Sequence, residues 1–166
     1  MSEWSVWLRG ADHDQRQLDP AAESDGQHFV VEESLGYLVN RVARLMAHQL
    51  GEELRPAGVG IGQWAVLMFL WGRDGLSQAE LARVVAIEPP TIVRTIDRMV
   101  RDGLVRRVPD PDDGRVTRIY LTEHGRSLRD ELVPKAVAVN ARYSSRMTEA
   151  EGRTLRRLLG KLLVDQ

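Results

Sequence analysis

Five arginines and a threonine carry the most suggestive chemistry in this 166-residue chain. Thr91, Arg94, Arg98 and Arg101 recur at three- and four-residue intervals, which on a helix places them along one side. Arg115 and Arg118 follow at and just after the run Asp110-Pro111-Asp112-Asp113-Gly114. Guanidinium forks pair with phosphates and with the acceptor edge of guanine, and threonine hydroxyls suit either partner. The chemistry on offer is recognition of duplex DNA rather than the making or breaking of bonds.

Other reactive-looking groups lead elsewhere or nowhere. Asp112 and Asp113 are paired carboxylates, but at the tip of a turn they lack the burial that tunes a catalytic pKa. The chain contains no zinc-protease helix motif, nucleophile elbow or phosphate loop, so no enzymatic activity and no cofactor are expected. The four histidines, His13, His28, His48 and His124, lack ligand-like spacing, and no metal site is expected. Gly58-Val59-Gly60-Ile61-Gly62 looks like a nucleotide loop, but it follows a helical pattern rather than a strand. The alternative to a DNA reader is a winged-helix adaptor that binds proteins; arginines on two separate elements argue against it.

The elements that must position these arginines lie between Ser77 and Thr122. Ser77 and Glu80 form a capping box that opens a short helix bearing Leu81, Val84 and Val85. Pro89 suits the first position of a second helix, because its missing N–H would have no partner there. Ile92, Ile96, Met99 and Val100 then form an apolar stripe, with Thr91, Arg94, Arg98 and Arg101 on the opposite face and Asp97 beside them. Gly103 supplies a stop. Leu104–Val108 and Val116–Leu121 are β-branched runs flanking a Pro/Asp/Gly cluster, which predicts a hairpin with a long turn. Helix, turn, helix and ribbon make a winged helix-turn-helix. Its second helix would enter a major groove, and Arg115 at the ribbon tip would reach a minor groove.

In order and spacing, Leu76–Ala82, Thr91–Met99, Asp102–Arg107 and Asp110–Arg115 running on to Leu121-Thr122 resemble the multiple-antibiotic-resistance regulator (MarR) family. The resemblance covers roughly residues 34–164. It implies an obligate homodimer in which helices from the two chain ends form the dimer domain and two winged lobes read a pseudo-palindromic operator. Thr91, Arg94 and Arg98 match the family's recognition-helix positions, and Arg115 matches its wing-tip arginine. Two positions depart from the pattern: Glu88 stands where a serine helix cap is common, and Gly114 replaces a common wing arginine. The resemblance further implies a small anionic or aromatic effector, held in a crevice between the first helix, the apolar second helix and the helix after the wing. Candidates for that site are Tyr37, Arg41, Arg44, His48, Trp64, Met68 and Trp71. The alternative is that the tryptophans and Met68 are core residues and the arginines are solvated or paired.

Composition sets the outer bounds. The net charge is −1, but residues 1–33 hold two arginines against eight carboxylates, so that segment carries −6 and the rest of the chain +5. The basic charge therefore sits where a DNA surface would be. The chain has no cysteine, which excludes disulfides and the thiol-oxidation switch of some members of the resembled family. The N-terminus does not read as a signal peptide. The longest apolar run, Trp64–Trp71, is too short to span a bilayer, so no membrane association and a cytoplasmic location are expected.

The fold class expected is mainly α with a small β-ribbon wing, in three parts. Residues 1–33 form an acidic arm, partly ordered or docking through Trp4 and Trp7. Residues 34–60 and 122–166 form a helical dimerisation domain, and residues 61–121 form the DNA lobe. Leu35, Leu38, Val39, Val42, Leu45, Met46, Leu50 and Leu54 give a long first helix. Thr122 caps a long helix kinked at Pro134, bearing Leu128, Leu132, Ala136, Val139 and Tyr143. Thr148 and Glu151 cap a last helix whose Leu155, Leu158, Leu159, Leu162 and Leu163 need a partner.

Overall fold

The structure is a computed structural model that describes residues 30–163; the expected docking of Trp4 and Trp7 lies outside the described residues. The chain divides into two units between Val39 and Asn40. In the first, a 3-10 turn at Val31–Glu33 leads to Ser34, whose Oγ accepts the Tyr37 backbone N–H at 3.3 Å. Helix α1, Leu35–Leu54, starts there and continues into the second unit.

The second unit holds the remaining elements. Helix α2 spans Ile61–Gly72, strand β1 Leu76–Ser77, helix α3 Gln78–Val85 and helix α4 Pro89–Arg101. Strands β2, Val105–Pro109, and β3, Thr117–Leu121, form the wing; helices α5, Glu123–Ser144, and α6, Glu149–Leu162, complete the fold. The three strands make one antiparallel sheet in the order β1-β3-β2. In it Leu76 lies opposite Ile119, and Val105 opposite Leu121. The two-residue β1 has no sequence signal of its own and was not expected.

Local chemistry sets most of the boundaries. Ser77 Oγ accepts the Glu80 N–H at 3.2 Å, and Glu80 Oε2 accepts the Ser77 N–H at 2.8 Å. Thr148 and Glu151 repeat the arrangement at α6. Thr122 Oγ1 accepts the Gly125 N–H at 3.0 Å to cap α5. Gly103 turns the chain out of α4 at φ 69°, a left-handed conformation that suits glycine. Helix α5 runs on through Pro134.

The core gathers around α2, α3, α4 and the sheet, with Leu67, Leu70, Leu81, Ile92, Ile96, Met99 and Ile119 fully enclosed. Two apolar stripes depart from expectation. Val100 and Val84 are exposed rather than part of their stripes. Helix α2 is not buried all round: Gln63, Trp64, Val66, Leu67 and Leu70 face inward while Ile61, Met68 and Phe69 are exposed. On α1 only Leu54 is buried, and on α6 only Gly152. Among the described residues, no helix is long and apolar enough to cross a membrane.

Candidate nucleic-acid interface

Helix α4 begins without a side-chain cap. The Glu88 carbonyl accepts the N–H groups of Thr91 at 2.9 Å and Ile92 at 3.1 Å, but its carboxylate makes no capping bond. Before it, Ala86 takes a left-handed conformation at φ 55° and closes α3 through its N–H. A position of this kind ordinarily holds glycine, and an alanine there carries no sequence signal of the turn.

With Ile92, Ile96 and Met99 enclosed, the 3.6-residue period turns Arg94, Arg98 and Arg101 outward, and all three are exposed. Thr91 is half-buried, and its carbonyl accepts the Thr95 hydroxyl at 2.9 Å. Asp97 would repel phosphate on this face, but it pairs with Arg107 of β2 at 2.6 Å. Sequence reasoning left Arg107 without a role; the pair spans ten positions and links the reading helix to the wing.

The wing turn is built on Asp110, a carboxylate only 8% exposed. Its Oδ1 accepts the N–H groups of Asp112 at 2.9 Å and Asp113 at 3.1 Å, while Oδ2 pairs with Arg118 Nε. The Asp112 N–H first, and then Arg118, hold the Asp110 carboxyl below its usual value. Asp113 Oδ1 accepts the Arg115 backbone N–H at 3.0 Å. The aspartates thus shape the turn, and Arg115 is left exposed beside a cleft of about 260 Å³ that it lines with Ser77, Gln78, Ala79, Val116 and Thr117. Arg118, expected among the DNA contacts, donates from its guanidinium to Asp110 and, through Nη1, to the Gly75 carbonyl at 3.0 Å.

A second set of polar links fixes the lobe where α4 gives way to the wing. Gln63 is buried; its Oε1 accepts the Gly60 N–H at 2.8 Å and its Nε2 donates to Asp102 Oδ2 at 2.7 Å. Asp74 accepts the Leu121 N–H at 2.9 Å and pairs with Arg126 at 2.7 Å. Trp71 Nε1 donates to the Gly125 carbonyl at 2.9 Å. Apart from Gly60 and Gln63, these partners lie far apart in sequence and left no trace in any local pattern.

The effector candidates fall into groups. Trp64 and Trp71 meet edge to face with ring centres 5.5 Å apart; Trp64 is buried and Trp71 partly so, while Met68 is exposed. Arg41, Arg44 and His48 lie exposed on α1, and Tyr37 belongs to the first unit. No cluster of three or more His, Cys, Asp or Glu able to hold a metal occurs among the described residues.

Comparison with known proteins agrees with this geometry. The family model described as the MarR family matches residues 61–117. The HTH-type transcriptional repressor Rv2887 of Mycobacterium tuberculosis is 31% identical over 128 residues, covering 77% of this chain and 92% of that protein. Wild-type MarR of E. coli in its apo form superposes with a TM-score of 0.68 at 27% identity, over 78% of this chain and 97% of that one. CouR of Rhodococcus jostii RHA1, solved with p-coumaroyl-CoA bound, gives a TM-score of 0.72 at 25% identity, over 82% and 96%.

Proposed function

The chain belongs to the MarR family of transcriptional regulators, not to a family of enzymes, and we propose that it is a homodimeric cytoplasmic repressor that reads a pseudo-palindromic operator. Residues 61–121 serve as the DNA lobe, and the helices before and after it in sequence pair the protomers. One observation carries the reading: α4 buries Ile92, Ile96 and Met99 while turning Arg94, Arg98 and Arg101 to solvent. Thr91, Arg94 and Arg98 at base edges would supply sequence preference, with Arg101 on phosphate. Arg115 would enter the flanking minor groove.

Dimerisation is supported by apolar surface that a monomer would leave in water. Leu155, Leu158, Leu159 and Leu162 form an exposed row on α6, and Val133 and Val137 are exposed on α5. Rows of this kind mark interfaces rather than solvated faces.

The proposed trigger for release is a small aromatic acid or its thioester. Its support is the bound ligand of the CouR neighbour, together with a tryptophan pair on α2 and Arg41 and Arg44 on α1, residues suited to a ring and an anionic group. The test begins by enriching duplexes from a randomised library with the wild-type protein. Mobility shifts of an enriched duplex are then repeated with p-coumarate, benzoate and p-coumaroyl-CoA. Release by one of these supports the full reading. A selected duplex that none of them releases removes the effector claim, and failure to enrich any duplex removes DNA reading.

A further inference from the structure

We infer that Arg118 is a positioning residue for DNA reading, holding the wing so that Arg115 is presented to the groove. The inference rests on the proposal that the wing contacts DNA. Its physical basis is a continuous chain of bonds. The Arg118 guanidinium donates at one end to the Gly75 carbonyl, at 3.0 Å, just ahead of β1 and α3. At its other end it pairs with the buried Asp110.

Asp110 in turn gathers the N–H groups of Asp112 and Asp113, and Asp113 receives the N–H of Arg115. The ladder adds two bonds that close the same turn, Asp110 N–H to the Val116 carbonyl and Val116 N–H to the Asp113 carbonyl, each 2.9 Å. The anchor is fixed as well: Gly75 sits at φ 77°, its N–H bonds the Ile119 carbonyl at 3.0 Å, and a Cβ there would lie 2.7 Å from the Tyr120 ring. Arg118 therefore ties the turn bearing Arg115 to the start of the helix-turn-helix.

A planar fork can satisfy a carboxylate and a carbonyl at a fixed angle; a point charge on a flexible stem does so less well. Without the guanidinium, Asp110 loses its ionic partner and the wing turn loses its side-chain link to the Gly75 carbonyl, leaving only the backbone pairing of β3 with Gly75 and β1. The turn from Asp112 to Arg115 then keeps only its internal bonds, and its aspartate hub is no longer tied to the start of the helix-turn-helix, so the tip arginine is held less firmly.

The experiment measures binding of a duplex enriched by the wild-type protein, over a range of salt concentrations, for Arg115→Ala, Arg118→Met, Arg118→Lys and the Arg115→Ala/Arg118→Met double variant. Thermal melting of each variant runs alongside. Arg115→Ala is expected to weaken binding roughly 5- to 150-fold and to reduce the salt slope by about one. Arg118→Met gives a loss of the same size or smaller, and the double variant binds like Arg115→Ala alone. Arg118→Lys, which keeps the charge and loses the fork, follows Arg118→Met.

Three results overturn the inference. Arg118→Met or Arg118→Lys binding like wild type shows that the fork does no positioning. A double variant whose slope falls by about two shows that Arg118 itself meets a phosphate. A loss that persists in full on the Arg115→Ala background, with a lowered melting temperature, shows general support of the fold. If Arg115→Ala binds like wild type, the wing reading has failed, and the inference falls with it; that arm reports on the reading without any Arg118 variant.

Discussion

Gly125 provides a sharp test of the architecture behind the reading lobe. It occupies the first turn of α5, and a Cβ added there would lie 2.1 Å from the Leu104 carbonyl oxygen, 3.0 Å from its carbon and 3.3 Å from Leu121 Cδ2. The obstructing oxygen cannot step aside, because it accepts the Thr122 N–H at 3.0 Å while the Leu104 N–H bonds the Met99 carbonyl at 2.9 Å. Either α5 moves away from the junction of α4 and β2, or that junction distorts. Overpacking of this kind costs about 1–3 kcal/mol. Contact with pinned backbone puts Gly125→Ala near the upper end, offset by less than about 1 kcal/mol of helix propensity. A net loss of about 2 kcal/mol lowers the melting temperature by roughly 4–8 °C for a chain of this size.

Thermal denaturation followed by tryptophan fluorescence is the assay, since Trp71 donates to the Gly125 carbonyl and its emission should shift with the displacement. Gly51→Ala on α1, where an added Cβ meets nothing within 4 Å, is the control and should stabilise by about 0.4–1 kcal/mol. A Gly125→Ala protein that melts at or above wild type would refute the close approach of α5 to the wing base.

Four further outcomes follow from the same geometry. Arg94→Ala should weaken binding of an enriched duplex by about 1–3 kcal/mol and relax preference at one base position, with an unchanged melting temperature, as fluorescence anisotropy against substituted duplexes would reveal. Leu158→Glu combined with Leu162→Glu places carboxylates in the exposed α6 row, and light scattering should then find a monomer where the wild type is a dimer. Glu88→Ser supplies the missing side-chain cap of α4 and should raise stability by about 0.5–1 kcal/mol in denaturant titrations. Glu80, Glu151 and Asp110 all have carboxyls held below their ordinary values of 4.5, 4.5 and 3.8, the first two chiefly by the N–H groups of Ser77 and Thr148. A depressed folded-state pKa adds stability that is present above the ordinary value and lost as pH falls through the folded one, so melting temperature should hold from neutral pH to about 5 and decline below that.

What the sequence made legible was the local chemistry. Ser77 with Glu80, Thr148 with Glu151, Thr122, Pro89 and Gly103 act within a few positions of themselves, so their roles can be read directly from spacing. The inward face of α4 was equally plain, because Ile92, Ile96 and Met99 repeat at the helical period. Polar links across the fold were not: Gln63 meets Asp102 over 39 positions, Arg118 reaches Gly75 over 43 and Trp71 reaches Gly125 over 54. Apolar periodicity also cannot tell a core from an interface: Met68 and Phe69 belong to the same apolar run as Trp64 and Leu67 yet lie exposed. The partners of Arg118 were hidden for a related reason. Spacing shows a basic residue near a wing tip but not the buried Asp110 carboxylate or the Gly75 carbonyl that it meets.

The central claim is that two copies of this lobe read one duplex, each through α4 and its wing. Hydroxyl-radical footprinting of an enriched duplex measures this most directly, because the cleavage pattern resolves individual contacts along each strand. Two symmetric sets of protections are expected, with half-sites spaced by about one helical turn or a multiple of it, and loss of the outer protections alone in Arg115→Ala. A single unsymmetrical patch, or protection indifferent to Arg94 and Arg115, would contradict it.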